Sequence, residues 1–296
     1  MRVLLFCVVA LLAACQSRET LPPPLWLSPL GHEHADIGVI RDLASGEILT
    51  TQQLLDRLAD APRVLVGEQH DNPDHHALQL WLLRNLSARR EQGSLLLEML
   101  TPDQQARVEA VQADARVGHR PDDLITALAW QPGWGWSLYG PLVTYALAQS
   151  YPLLAANLDR TEIMSIYKQK PVLTGASSTA SVVQDKLLAD IRDAHCGLLP
   201  ESQMPAMLAV QQQRDRRMAE RLLAAPQPAM LLAGAFHVRK DLGVPLHLAD
   251  LGAGPGTRVL ILAEVGAAVP AGSADYVWYT AAQPGQDHCA GLRPAG

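Results

Sequence analysis

The sequence predicts one α/β domain over residues 36–296, with a mainly parallel sheet and helices on both faces. Its composition, 48% hydrophobic and 18% charged residues, supplies the apolar side chains that a large core requires. Short apolar runs typical of buried strands alternate with longer segments of helical periodicity, which is the pattern of repeated strand–helix steps. We find no internal repeat, so we expect a single layered domain.

The charge balance excludes several classes of function. The chain carries 24 Lys and Arg against 30 Asp and Glu, a formal net charge of −6. No run of cations is dense enough to follow a phosphate backbone, which excludes nucleic acid as a partner. The low charged fraction excludes a disordered activation segment, because such segments combine high charge with low hydrophobicity.

The amino terminus has the layout of a secretory signal: Arg2, an apolar run over residues 3–12, and small residues before Cys15. The apolar run is too short to span a bilayer. The segment LAAC at residues 12–15 resembles a bacterial lipobox, which implies a signal peptide over residues 1–14, lipidation of Cys15, and a membrane anchor without a spanning helix. By the same resemblance, Gln16 implies sorting to the outer membrane. Residues 15–35 are predicted to form the lipidated cysteine and a flexible tether.

The first part of the domain contains two strand–helix steps. Turn residues at 44–46 predict a hairpin over residues 37–50, and the leucine spacing of residues 51–59 predicts a helix that ends before Pro62. A cap residue, a proline and an acid at residues 101–103 predict the start of another helix. Between these two helices, the sequence predicts a strand at 64–66, a helix at 74–90 and a strand at 95–97.

The second part continues the alternation. Residues 250–256 resemble the glycine loop of methyltransferases, but a strand and not a helix is predicted after them, so they are interpreted as a connecting turn. Residues 131–140 are predicted as a loop rich in glycine and tryptophan, and residues 175–181 as a loop of small residues. Helices are predicted at 121–130, 141–150 and 203–224, and strands at 153–156, 230–232, 259–264 and 276–279.

Polar side chains follow four of the predicted strands. Ligands of open α/β folds bind beyond the carboxyl ends of parallel strands, so these side chains predict a ligand site at that edge of the sheet. They are Glu68 and His70 after strand 64–66, Glu98 after 95–97, Asn157 and Arg160 after 153–156, and His237 after 230–232.

Two of these turns share the pattern G-x-x-H, at residues 67–70 and 234–237. The glycine permits close approach of the backbone, and the histidine can point back over the strand end. His70 and His237 with Glu68 or Glu98 could hold a divalent metal such as zinc or manganese, with Glu68 or Glu98 acting on a water molecule. Asn157 or Arg160 could then stabilise an oxyanion. These residues are therefore consistent with a metal-dependent hydrolase, although the motif H-E-x-x-H is absent.

Several motifs carry a family resemblance that extends from about residue 36 to the carboxyl end. They are VGEQHDNP at 66–73, WSLY at 136–139, AANL at 155–158, HCG at 195–197 and GAFHVR at 234–239. The chain resembles the ChaN-type family of haem-binding, iron-regulated bacterial lipoproteins. This resemblance implies haem binding for iron uptake or storage, without chemistry of its own. The wider superfamily includes Tiki and TraB proteins and erythromycin esterases, so a metal-dependent hydrolase or protease of the Tiki type is the alternative.

Haem binding requires an iron ligand, an apolar surface and partners for the propionates. Tyr139 is the first ligand candidate because it follows three tryptophans, including Trp136; a tyrosine packed beside them with a satisfied hydroxyl is the alternative. His70 and His237 are rival ligands. Arg239 could contact propionates.

Two further expectations concern covalent and quaternary structure. Cys196 and Cys289 remain after the signal, in a compartment that permits disulfides, and they are predicted to form one. A haem at an open sheet edge has one bare face, which a second copy of the chain could cover. A haem-uptake receptor is a further possible partner.

Overall fold

The computed structural model describes residues 20–285 and 289–290, and within them it forms one eight-stranded sheet. The strand order is β2-β1-β8-β7-β3-β6-β4-β5; only β1 pairs antiparallel, with β2 and with β8. The strands are β1 (Ile40–Asp42), β2 (Ile48–Leu49), β3 (Arg63–Glu68), β4 (Ser94–Leu97), β5 (Leu153–Ala155), β6 (Ala229–Gly234), β7 (Thr257–Glu264) and β8 (Tyr276–Thr280). The predicted fold class, a mainly parallel α/β sheet, is confirmed.

The helices of the described residues connect these strands. They are α1 (Thr51–Ala59), α2 (Pro73–Ser87), α3 (Gln105–Arg116), α4 (Leu124–Ala127), α5 (Trp136–Leu147), α6 (Arg160–Gln169), α7 (Ser181–Ala194), α8 (Met204–Ala224), α9 (Ala235–Val238) and α10 (Val244–Asp250). None of them is both long and apolar enough to cross a membrane.

The sheet is buried on both faces, and the middle residues of its central strands are apolar. Alternate residues of β3 point to opposite faces, so Val64 and Val66 pack in one apolar cluster while Leu65 packs in the other. The first cluster includes side chains of α1, α2 and α5, and the second includes those of α8 and α10. Continuous burial explains why these strands are apolar runs and not alternating patterns.

The structure differs from the sequence prediction around the tryptophans. Helix α5 begins at Trp136, inside the predicted loop at 131–140, and contains Pro141. Gly140 is not a helix breaker here: a Cβ at this position would lie 2.9 Å from the indole of Trp136, so the glycine makes room for that ring. Tight side-chain packing, which a local pattern does not reveal, explains why the loop prediction is wrong for residues 136–140.

Part of the predicted tether lies against the domain. Asp74, fully buried at the start of α2, accepts hydrogen bonds from the backbone N–H groups of Leu27 at 2.6 Å and Ser28 at 3.1 Å. Further along the helix, Asn85 accepts from the Leu21 N–H at 2.9 Å. We call residues 20–30 the strap; it is fixed to α2 and is not a free linker. The signal peptide and Cys15 lie outside the described residues.

The predicted disulfide is present. Cys196 and Cys289 are joined with their Cα atoms 5.7 Å apart, at a sequence separation of 93. Cys196 directly follows His195, the C-cap of α7, so the bridge ties the end of α7 to the last part of the chain that the structure describes.

Candidate functional site

The carboxyl ends of β3, β6 and β4 lie side by side, because β6 is inserted between the two earlier strands. Glu68 ends β3 and pairs in register with Gly234 at the end of β6, while Glu98 follows β4 directly. Three elements distant in sequence thus place Glu68, His70, Glu98 and His237 at one edge. The prediction that these strand ends converge holds for these four residues.

His237 is enclosed between two carboxylates. Its Nδ1 lies 2.5 Å from Oδ1 of Asp215, and its Nε2 lies 3.3 Å from Oε1 of Glu98. All three side chains are buried. Asp215 comes from α8 and was not identified from the sequence, although a charged residue on the apolar side of a helix, between Val210 and Met218, is a usable signal for a buried ion pair.

Burial and the charges of His237, Glu98 and Asp215 together determine the protonation of this ion triad. Burial alone would lower the pKa of His237, but the carboxylates of Glu98 and Asp215 raise that pKa to about 10. Burial would raise the pKa of Glu98, but the charge and hydrogen bond of His237 lower it to about 2. The pKa of Asp215 is raised, because burial outweighs the attraction of His237. At neutral pH, His237 is therefore an imidazolium held by two buried acids.

His70 occupies a different environment. Its side chain is 45% exposed, and its Nδ1 lies 2.6 Å from Oε1 of the fully buried Glu68 side chain. Its Nε2 makes no hydrogen bond within the described part of the chain. Burial would lower the pKa of His70, but the hydrogen bond and charge of Glu68 raise it. The ring makes an edge contact with Trp134, with centroids 4.9 Å apart.

The two histidines that follow hold the His70 turn in place. His75 accepts a hydrogen bond from the Gln69 N–H at 2.8 Å, and its other nitrogen bonds Thr280 at 2.9 Å. Burial lowers the pKa of His75 to about 3, so it stays neutral and can accept. His76 Nε2 lies 3.0 Å from the carbonyl oxygen of His70, to which it donates. Both rings therefore position His70.

Tyr139, the first ligand candidate, is nearly inaccessible. It is 1% exposed, and its hydroxyl donates to Glu68 at 3.0 Å. Its pKa is strongly raised, because burial and the charge of Glu68 both disfavour the phenolate. The structure thus corresponds to the alternative in which the tyrosine packs beside Trp130 and Trp134 with its hydroxyl satisfied. In this conformation its oxygen orients Glu68 and, through Glu68, His70.

The glycines of both G-x-x-H turns are required by close packing. A Cβ on Gly234 would lie 2.9 Å from Cε1 of His70, so the ring rests directly on this glycine. A Cβ on Gly67 would lie 2.9 Å from the Cα of Ala235. The Gly234 N–H also donates to Oε2 of Glu98 at 2.8 Å. The two turns are therefore packed against each other and share their polar groups.

Two cavities open on either side of His70, and the 62% exposed Phe236 borders both. The larger, of about 470 Å³, lies between α6, α7 and α8, and the smaller, of about 340 Å³, lies beside β7. We call the larger one the α-cavity. Its apolar lining consists of Ile163, Leu187, Ile191, Ala194, Met207, Val210, Phe236 and Leu242, and its polar lining includes His70, Tyr167, Asp190, His195, Arg214 and His237.

Arg214 and Tyr167 are among the α-cavity residues that the sequence analysis missed. Arg214 has a buried Nε without a hydrogen-bond partner in the described part of the chain. Tyr167 lies on α6, which was not predicted, and its hydroxyl makes no hydrogen bond there. The signal for α6 was available: Asp159 and Glu162 form a capping box, and Ile163, Ile166 and Tyr167 have helical spacing.

The remaining predicted site residues have other partners. Asn157 is buried and donates to the backbone oxygen of Glu98 at 3.0 Å, so it supports the β4 turn. Arg160 is exposed at the first turn of α6, apart from the four convergent residues. Arg239 makes a two-bond ion pair with Asp241 at 2.9 and 2.7 Å. Trp136 packs on Trp130, with ring centroids 5.2 Å apart.

The geometry differs from what the predicted metal centre requires. Among the described residues, no group of three His, Cys, Asp or Glu side chains is arranged to hold a metal ion. Both ring nitrogens of His237 are already engaged by carboxylates. Of the two strand-end histidines, His70 and His237, His70 is the one that presents a ring nitrogen without a protein partner, which suits a single axial ligand and not a multidentate metal site.

The fold and site define an α/β protein with an open apolar cavity beside an accessible imidazole at the carboxyl edge of its sheet. A family model described as "Haem-binding uptake, Tiki superfamily, ChaN" matches residues 54–248. The chain belongs to this family, as its motifs indicated.

Solved structures add to the comparison. ChaN of Campylobacter jejuni, whose structure is described as showing cofacial haem binding, is 29% identical with a TM-score of 0.74, and the match covers 81% of this chain and 95% of that one. An erythromycin esterase mutant, EreC, is 14% identical with a TM-score of 0.47 and 82% of each chain covered. No curated protein matches the chain.

Proposed function

We propose that this protein is a lipid-anchored, haem-binding protein of the bacterial envelope that serves iron uptake or storage. Membership of the haem-binding family supports the class of ligand. The observation that carries the proposal at this site is His70, with an Nε2 free of protein partners beside an apolar cavity of about 470 Å³. Histidine is a common axial ligand of haem iron in proteins.

Glu68 prepares His70 for this role. Histidines that bind metals generally donate their other ring N–H to a carboxylate or carbonyl, which fixes the tautomer and makes the free nitrogen more basic. The 2.6 Å contact between His70 Nδ1 and Glu68 has this form. We therefore propose His70 as the iron ligand. Tyr167 on the cavity wall and the buried Tyr139 are the alternatives that the experiments below separate.

The α-cavity fits a haem in its chemistry. Its aliphatic lining suits the macrocycle, while cations and donors are available at its wall for carboxylates. Arg214 is the better partner for a propionate than Arg239, because Asp241 already engages Nε and Nη2 of Arg239 and neutralises its charge in a two-bond ion pair. When bound, haem would supply a ferric iron; the chain's residues would bind it, orient it and exclude water.

The anchor and the assembly form part of the proposal. The lipobox-like LAAC segment supports lipidation of Cys15, and Gln16 supports retention in the outer membrane. The Campylobacter protein is described as binding haem cofacially. We propose that two copies of this chain likewise bring their haems face to face, which covers the macrocycle face that a single open cavity leaves bare. A haem-uptake receptor is the proposed partner for exchange.

A hemin titration of the chain without its signal, residues 16–296, tests the function. We expect a saturable shift of the visible spectrum at one hemin per chain, with little zinc or manganese in the same preparation. Absence of a shift beyond that of free hemin, with one tightly held divalent ion per chain, would overturn the haem proposal in favour of the metal-dependent hydrolase.

The pH dependence of hemin binding tests the role of Glu68. Because a ligating imidazole must be neutral, affinity should fall by about tenfold per pH unit below the pKa of His70. Glu68 raises that pKa above its ordinary value of 6.5, so the fall should begin above pH 6.5. Glu68→Gln keeps a hydrogen-bonding group but removes the charge, and it should move the profile to lower pH. An unmoved profile in titrations from pH 6 to 9 would contradict this role.

Arg214→Gln tests recognition of the haem carboxylates. A charge-assisted hydrogen bond contributes about 1.5–3 kcal/mol, so this variant should bind hemin roughly 10- to 100-fold more weakly. Its affinity for hemin dimethyl ester should equal that of the unaltered chain, because the ester lacks carboxylates. Arg192→Gln is the matched control: it removes the same charge from α7, where Arg192 pairs with Glu201 at 3.1 Å on the surface. Equal losses for hemin and its ester would contradict the assignment.

A further inference from the structure

The strap runs along α2 in the direction opposite to the helix. Ser28 and Leu27 are held by Asp74 in the first turn of α2, at the carboxyl edge of the sheet. Leu21 is held near the other end, where its carbonyl oxygen accepts from Trp81 Nε1 at 2.8 Å. Thr20 bonds Arg89, just beyond the helix, at 2.6 Å. The chain therefore leaves the described structure at the end of α2 remote from the ligand site.

The outward side of the strap is apolar. Leu21 is 48% exposed, Leu25 is 88% exposed and Leu27 is 66% exposed. Residues 20–31 contain no charged side chain. Leu30, at the other end of the strap, is 47% exposed as well. Scattered surface leucines need no explanation, but four of them on one uncharged segment form a patch of the kind found at interaction sites. A lipid-linked cysteine a few residues upstream identifies the partner that suits this patch, a bilayer surface.

Chain length limits where the bilayer can lie. Cys15 precedes Thr20 by five residues, which span at most about 17 Å when fully extended. Helix α2 has 15 residues and is thus about 22 Å long. A lipid on Cys15 therefore cannot bring a bilayer over the carboxyl edge of the sheet, where His70 lies, while the strap remains bound to α2.

We infer that the strap is the membrane-contacting face of this protein, with Leu21, Leu25 and Leu27 lying in the interfacial layer and the haem edge open to the aqueous compartment. The inference rests on the proposed lipid anchor at Cys15. It implies that haem is exchanged with a partner in the aqueous phase, and not through the bilayer to which the protein is attached.

Fluorophore quenching in vesicles tests this orientation. The full lipidated chain is reconstituted in phosphatidylethanolamine and phosphatidylglycerol vesicles that contain nitroxide-labelled lipid. A fluorophore is attached at Leu25→Cys on the strap or, as the matched control, at Gly133→Cys, an exposed position close to Trp134 at the site edge. We expect quenching at position 25 to exceed that at position 133 at least about threefold, because an interfacial segment lies 5–10 Å deep.

The outcomes separate the orientation from the function. If the protein does not co-migrate with the vesicles in a flotation assay, the lipid anchor and this inference are overturned together, while hemin binding by the soluble chain is unaffected. Vesicles that carry the protein but give equal quenching, or stronger quenching at position 133, would overturn the orientation alone. Leu25→Ser should leave anchoring intact and reduce quenching of a label at position 21, placed by Leu21→Cys; unchanged quenching would contradict direct contact of the strap.

Discussion

Replacing His70 with alanine should weaken hemin binding by at least about 100-fold, since loss of a residue that merely supports a metal ligand already costs 10- to 100-fold. The reason is that His70 offers an accessible ring nitrogen backed by the buried Glu68 carboxylate, whereas both nitrogens of His237 are bound to carboxylates. A hemin titration followed at the Soret band, with circular dichroism of the apo protein, measures the loss and confirms that the fold persists.

Three variants make this prediction specific. His119→Ala, which removes a histidine from an exposed position after α3, should bind hemin as the unaltered chain does. Tyr139→Phe and Tyr167→Phe should keep the spectrum of the complex. Loss of a phenolate-to-iron charge-transfer band in either tyrosine variant, with His70→Ala still binding tightly, would assign the ligand to that tyrosine and refute His70.

Replacing His237 with alanine should lower the free energy of unfolding by about 3–5 kcal/mol, the cost of leaving a buried charge without its partner. Here the loss would leave two buried carboxylates, Glu98 and Asp215, without the cation between them. Urea unfolding measures the change. Asp215→Asn in the His237→Ala background should recover part of the loss, because it removes one of the two negative charges. No recovery would indicate that packing, and not charge, dominates.

The same ion triad predicts the pH dependence of stability. The pKa of His237 is raised to about 10 from 6.5, so its contribution is complete below about pH 6.5 and is lost as pH rises through 10. The pKa of Glu98 is lowered to about 2 from 4.5, so its contribution is complete above about pH 4.5 and is lost as pH falls towards 2. Unfolding curves of His237→Ala should therefore lack most of the alkaline loss seen in the unaltered chain.

The ligand edge illustrates what local patterns reveal. Glu68, Glu98 and His237 each follow an apolar run, and the parallel pairing that brings them together follows from the strand–helix alternation. The role of each residue within the site could not be predicted from local patterns. No such pattern links Tyr139 to the strand-end residues. Only the packing of α5 against α2 and the sheet brings its hydroxyl to Glu68, 71 residues earlier. That contact changes the residue from a ligand candidate to a support for His70.

The cavity itself depends on elements that the sequence analysis did not identify. Helices α6 and α7 provide Ile163, Tyr167, Leu187 and Ile191, and none of these was among the site candidates. The strap was predicted as part of a flexible tether. Its backbone is instead bound by Asp74 and Asn85, side chains of a helix that begins more than forty residues later.

The sequence by itself determined the α/β class, the sheet edge at which Glu68, His70, Glu98 and His237 converge, the two G-x-x-H turns and the pairing of Cys196 with Cys289. These follow from apolar periodicity, from the chemistry of strand ends, and from the presence of two cysteines after the signal. Only the tertiary structure decided which histidine is accessible, which is enclosed by acids, and where the strap and the cavity lie. Accessibility and protonation depend on burial and on charges brought together from distant segments, such as Asp215 and Glu98 around His237, and no local pattern specifies them.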